Sequence, residues 1–299
     1  MPDDKLGELV SPPPSGPFLC LEVNPPRGVD LEPVIERLRD GLEGVDFLNV
    51  TDCALARMRQ AALPCAALLK QKLGIEVLAN VACRDRNLIA IQADLLAAWT
   101  AGIRSVVALT GDSVTIGDQP DRKGVFEVNS LGLLQTINIL NGGQDLAGNK
   151  LKGRPQFISG VVVNPNARSP AAELNRLRRK KEAGARYALS QPVFDENSAA
   201  DFFEQAKAVG LPILMGLLAL KSAQAARAAA SIPGIRLSQE IKDAIAKAGE
   251  SDLSEFFLEF CLHLAQYNHK HVTGFHVVTG ANPSLALKLI KRLVHCFKG

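Results

Sequence analysis

VLANVACRDRNLIAIQADLLAAWTAGIRSVVALTGD, residues 77–112, contains one complete strand–helix–strand unit. Its flanks, VLANVAC (77–83) and SVVALT (105–110), are short β-rich runs, apolar on both faces as strands covered by helices must be. Between them RNLIAIQADLLAAWTAG reads as an amphipathic helix stopped by Gly102. The unit repeats outward. FLCLEV (18–23) and FLNV (47–50) precede it; FISGVVV (157–163), YALSQPV (187–193), PILMGLLAL (212–220) and FHVVT (275–279) follow. Helical stretches such as LEPVIERLRDGL and AAELNRLRRKKEAGA lie between the runs, several of them stopped by glycine (Gly74, Gly184, Gly210). Eight such units in about 280 residues predict a closed parallel (βα)8 TIM barrel rather than an open sheet. Two additional helical stretches, 237–248 and 252–267, stand before the last strand. No GxGxxG follows the first strand and no GxxxxGK[ST] occurs, so neither a Rossmann nor a P-loop site is expected.

The chain has 299 residues, 47% hydrophobic and 22% charged, enough apolar material for one large core. The expected organisation is a flexible lead-in over 1–17, with Asp3, Asp4 and a proline cluster, and a barrel catalytic domain over 18–299. A net charge of +3 is too small to argue for nucleic acid or an anionic membrane surface. No apolar run is long enough to span a bilayer. The six cysteines form no CxxC pair and read as reduced thiols of a cytoplasmic protein. His269 and His271 lack a third ligand at sensible spacing, so no metal site is expected.

In a barrel the strand C-termini and the loops beyond them form the active face. Glu22, Thr51, Asp52, Asn80, Thr110, Gly111, Asp112, Asn164, Gln191, His276 and Thr279 all fall there. Any one of these is ordinary as a cap or turn residue; their convergence on one rim points to a site. Glu22 sits within an apolar strand before Asn24 and Pro25–Pro26. An inward carboxylate there is desolvated, which raises its pKa and suits it to general acid work; the alternative is a buried glutamate paired with arginine. Gly111 lets backbone approach a ligand beside Asp112. The polar loop SVTIGDQPDRKG (113–124) lies on the active face and is placed to close over a ligand, whereas NGGQDLAGNKLKGRP (141–155) belongs to the opposite face.

These residues resemble those of a known family. LEVNPPRG (21–28) is similar to the first-strand E-x-x-P-P motif of methylenetetrahydrofolate reductases, and GIRSVVALTGD (102–112) to their ALRGD strand. EAGARYALSQPVFD (182–195) resembles the AGA…TQ-x-F-F-D segment, and FHVVTGAN (275–282) the closing FHFYTLNR-type strand. CRDRN, ALTGD and DLAGN look most like the branch of acetogenic bacteria or of homocysteine-methyltransferase fusions. The resemblance implies a noncovalent flavin, FAD with FMN as the alternative, reduced by NADH or another donor. It implies reduction of 5,10-methylenetetrahydrofolate to 5-methyltetrahydrofolate, with a homo-oligomer or a second zinc-carrying electron-transfer subunit as partners. Glu22 takes the proton-donor position and Asp112 the carboxylate beside pterin and flavin. Gln191 and Asn282 fall on substrate-contacting positions. Thr51, Asp52, Asn80, Thr110, Gly111, Asn164, Ala167, Glu173, Arg179 and Lys180 fall along the flavin, the last three near its ribose and pyrophosphate.

The sequence departs from the family at several of these positions. Asn80 stands where many members have histidine, Thr110 and Asn282 where they have arginine, and VVVNPN lacks the expected tyrosine. Two other functions therefore stay open: a pterin-binding barrel serving methyl transfer, and a non-catalytic subunit of an electron-transfer complex.

Overall fold

Each apolar run forms a parallel strand, and the eight close in sequence order so that the first pairs with the last. The computed structural model describes residues 5–11, 16–232, 234–248 and 251–299. The chain begins with α1 (Lys5–Val10), β1 (Phe18–Val23), α2 (Glu32–Arg39), β2 (Phe47–Val50), α3 (Ala62–Leu73), β3 (Glu76–Ala82) and α4 (Leu88–Thr100). It continues through β4 (Ser105–Leu109), α5 (Ser130–Asn141), β5 (Ile158–Val163), α6 (Pro170–Glu182), β6 (Tyr187–Pro192), α7 (Glu196–Ala206) and β7 (Ile213–Leu217). The extra helices follow as α8 (Ala223–Ala230), α9 (Gln239–Ala248) and α10 (Ser254–Asn268), before β8 (Gly274–Val277) and α11 (Pro283–Phe297). Gly74, Gly102, Gly184 and Gly210 all take positive φ, between 66° and 106°, so the predicted helix stops use the left-handed freedom of glycine.

Alternation along the strands separates two cores. The outward set, including Leu19, Leu48, Val77, Val106 and Phe275, packs beneath the helices. The inward set fills the barrel with Phe18, Cys20, Phe47, Leu78, Val107, Tyr187, Leu189 and Leu214. Continuing the same alternation, Glu22, Asn49, Asn80, Gln191 and His276 also face inward. The interior is thus apolar at the strand N-termini and polar toward their C-termini, which positions a site at the upper rim.

The lead-in differs from expectation. Within residues 1–17, α1 places Leu6 and Leu9 at 3% and 1% exposure against the interior cluster, closing the barrel's N-terminal end. The proline cluster and acids that suggested a flexible lead-in fall on residues 1–4 and 12–15, outside the described residues. The apolar i, i+3 pair between them has a hydrophobic plug to fill.

Candidate active site

Glu22 is half-buried near the end of β1, and its Oε1 gathers three hydrogen bonds. Thr279, just past β8, donates from its backbone N–H at 3.2 Å and from its hydroxyl at 2.9 Å. Asn24 Nδ2 donates at 3.2 Å, is also 3.0 Å from Thr279 Oγ1, and its Oδ1 accepts the Thr51 hydroxyl at 2.9 Å. Burial nonetheless dominates and raises the Glu22 pKa above the usual carboxylate range; the donors from Thr279 and Asn24 oppose it. No arginine pairs with Glu22 among the described residues, which removes the ion-pair alternative. A fixed acid whose neutral form is favoured by burial can deliver a proton without moving.

Across the rim, a cleft of about 240 Å³ opens between β4, β5 and β6. It brings together Thr110, Asn164, Ala167, Glu173, Lys180 and Gln191 of the expected set. Glu173 Oε1 accepts the Asn164 amide at 3.0 Å, and Thr110 Oγ1 accepts the Ser130 amide at the start of α5 at 3.1 Å. Lys180 Nζ donates to Val162 O at 2.6 Å, and burial lowers its pKa. Its nearest counter-charge, Glu173, is already bound to Arg176. A half-buried cation sharing one carboxylate is a receptive partner for an anionic group.

Two rim loops lock together beside these groups. The loop after β2 carries Cys53, Leu55 and Ala56 at φ of 46°, 55° and 54°, a left-handed run costing roughly 1 kcal/mol or more per residue. It is held by Asp112, whose Oδ2 accepts the Leu55 amide at 2.9 Å, and by buried Arg84, which donates to Cys53 O at 3.2 Å. The 113–124 loop packs onto it: Asp118 accepts the Met58 amide at 3.0 Å and Arg27 at 2.5 Å. A Cβ on Gly117 would stand 2.1 Å from Ala56 O, so only glycine permits this approach. The predicted lid is therefore pinned to its neighbours, and Asp112, although exposed at the rim beside Gly111, also serves as a clasp.

The fold directs three of the expected residues elsewhere. Asp52 is buried with its carboxylate committed to the Ala82 amide at 2.9 Å and to Arg86 at 2.7 Å, so it anchors the rim rather than presenting a charge to it. Arg179 is exposed and lies off the cleft. Helical geometry puts it about 120° around α6 from Glu173, whereas Lys180 is within about 20° and Arg176 within about 60°. Arg176 lines the cleft in its place, and the i, i+3, i+7 spacing of 173, 176 and 180 was the signal available for it. Asn282 Oδ1 caps α11 through the Leu285 amide at 3.2 Å, turning the side chain to its own helix. Asn80 is buried and accepts Asn49 Nδ2 at 2.7 Å, which leaves its own amide N–H groups for the space above. The joint role of Asn24 and Thr279 had no local signal, since the two strands that carry them are the first and the last.

Among the described residues, no cluster of three or more metal-ligating side chains occurs, and no helix is long and apolar enough to cross a membrane. The family model described as methylenetetrahydrofolate reductase matches residues 13–294. Among curated relatives, the 5,10-methylenetetrahydrofolate reductase of Pectobacterium carotovorum subsp. carotovorum is 27% identical over 73% of this chain and 70% of its own. That of Escherichia coli is 26% identical over the same shares. A similar fold, with TM-score 0.65 and 14% identity over 94% of this chain and 96% of the other, occurs in an uncharacterized protein from Clostridium thermocellum that binds two copies of 5-methyl-5,6,7,8-tetrahydrofolic acid.

Proposed function

The chain belongs to the methylenetetrahydrofolate reductase family, and we propose that it reduces 5,10-methylenetetrahydrofolate to 5-methyltetrahydrofolate with Glu22 as the general acid. The observation that carries this reading is the acid itself, facing inward, raised in pKa by burial and fixed by Thr279 and Asn24. Protonation of the substrate's N10 opens its five-membered ring and leaves a cationic methylene iminium, the electrophile that the reduction requires. With its three bonds converging on Oε1, Glu22 has Oε2 as the oxygen to carry that proton toward the cavity. Asp112, exposed at the rim, favours the cation as it forms. Gln191, inward on β6, is placed to hydrogen-bond the pterin. The C. thermocellum protein of similar fold binds a methylated folate, which supports a folate in the same kind of cavity.

The cofactor of this reading is a flavin, which supplies the hydride when bound. The residues present fit one. The cleft is smaller than the ~300–1,000 Å³ of a typical small-molecule site, so it would suit the phosphate-bearing end alone. Arg176 and Lys180 are the groups to hold a diphosphate, which favours FAD over FMN. At Gly111 a Cβ would stand 2.9 Å from Arg84 Cβ, so the backbone can lie flat there only as glycine. The unpaired cysteines fit a reducing compartment such as the cytoplasm.

The test is the visible spectrum of purified protein, with release and identification of any chromophore, followed by reduction of methylenetetrahydrofolate with a reduced viologen dye. Bound flavin and a methyl product are expected. Glu22→Gln should keep flavin binding and flavin reduction while the folate step falls about 10²- to 10⁴-fold. A colourless protein that still binds folate would support the methyl-transfer barrel instead.

A further inference from the structure

Among the described residues, a histidine inside the barrel has no hydrogen-bond partner at either ring nitrogen. His276 on β8 is paired in register with Cys20 of β1 and Gly216 of β7. Its side chain faces the same interior as Cys20 and Glu22, one layer beneath the acid. It is 5% exposed, and neither Nδ1 nor Nε2 has a hydrogen-bond partner among the described residues. Burial lowers its pKa to about 4, so the ring is neutral near pH 7 and carries one donor and one acceptor, both needing satisfaction.

The surroundings narrow what can satisfy them. Within its layer the other inward positions are Val107, Leu189 and Asn49, and the Asn49 Nδ2 is already spent on Leu78 O and Asn80 Oδ1. In the layer above, β7 contributes Gly216 and hence no side chain over the ring on the side toward Glu22; a Cβ there would meet the β6 backbone, with Ser190 O 2.5 Å away. On β8 itself the inward residue below is Gly274, again without a side chain. A buried polar ring with both nitrogens unpaired, one layer beneath a carboxyl, is the setting in which proteins retain an internal water.

We propose that His276 is a positioning residue for the acid: its neutral imidazole holds a buried water that hydrogen-bonds to the Glu22 carboxyl from beneath. Thr279 and Asn24 then fix Oε1 from the rim while the water fixes the group from the interior, so the proton-bearing oxygen keeps one orientation. The inference rests on Glu22 being the acid, but the water and its hydrogen bonds can be observed independently of turnover.

Three measurements decide it. A high-resolution crystal structure should show a water bonded to both the His276 ring and Glu22, absent in His276→Phe; no density there overturns the proposal. In ¹⁵N-histidine NMR, Glu22→Gln should shift the His276 ring resonances, which a purely space-filling histidine would not report. In turnover, His276→Phe should keep flavin content and flavin reduction but slow the folate step about tenfold and displace its acid limb, as loss of one water-mediated bond implies. His276→Gln, which keeps a donor and an acceptor, should recover most of the rate. It also stands in if the phenylalanine variant fails to fold. A wild-type pH profile in His276→Phe overturns the assignment. If the wild-type protein reduces no folate, the proposed function fails, and the water and the NMR shift still answer for His276.

Discussion

Thr279 places two donors, its backbone N–H at 3.2 Å and its hydroxyl at 2.9 Å, on the same oxygen of Glu22. Both favour the ionised carboxylate against a burial that favours the neutral acid. The pKa of the proposed proton donor is therefore set by a balance, and the balance can be tilted.

Thr279→Val removes the hydroxyl donor and keeps the backbone one. The Glu22 pKa should rise further, because one of the donors that favour its ionised form is lost. The pH profile of single-turnover folate reduction should move alkaline with it. A profile superimposable on wild type would contradict the placement of Thr279 on the acid.

Lys180→Met should weaken FAD binding roughly ten- to a hundredfold and reduce its salt dependence, since the anionic ligand loses its cation. Arg179→Ala, one residue earlier but exposed and off the cleft, should bind FAD as wild type does. Equal losses in both variants, read by fluorescence titration of the apoprotein, would place the helix face wrongly.

The neutral His276 carries a pH signature in stability. Its pKa is about 4 in the folded chain and near 6.5 unfolded, so the unfolded state binds the extra proton first as pH falls. Stability contributed above pH 6.5 is lost between 6.5 and 4, at up to about 1.4 kcal/mol per pH unit. Glu22, raised rather than lowered, acts with the opposite sign and is present in both proteins compared. Denaturant melts at pH 7 and pH 5 should show a drop for wild type that is largely absent in His276→Phe. Parallel drops would mean that the imidazole is solvated.

Leu9→Ala should cost about 2–3 kcal/mol, the low end for a buried leucine, because the six-residue α1 can detach rather than enclose a cavity. The urea midpoint checks this. An unchanged midpoint would mean that α1 does not seal the barrel floor.

Most of the fold was legible because it is periodic. FLCLEV and FLNV coincide with β1 and β2, and the other six runs lie within one to three residues of their strands at each end. The glycines that stop helices did so by positive φ. Rim residues were legible as a group because a barrel sends every strand end to one face. Their individual duties were not. Asp52 and Glu22 are both acids at strand ends, yet one is spent on Arg86 and the other stands free of any cation.

The sequence by itself determined the barrel and the face on which its polar strand ends gather. Those follow from spacing along the chain and from the composition of each strand, which are local quantities. Tertiary structure alone decided that Asp52 is an anchor, that Arg176 and not Arg179 faces the cleft, and that α1 plugs the floor. It also decided that Glu22 is tuned by a threonine 257 residues away. Hydrogen bonding and desolvation act through space over a few ångströms, and only closure of β8 onto β1 brings those distances into being.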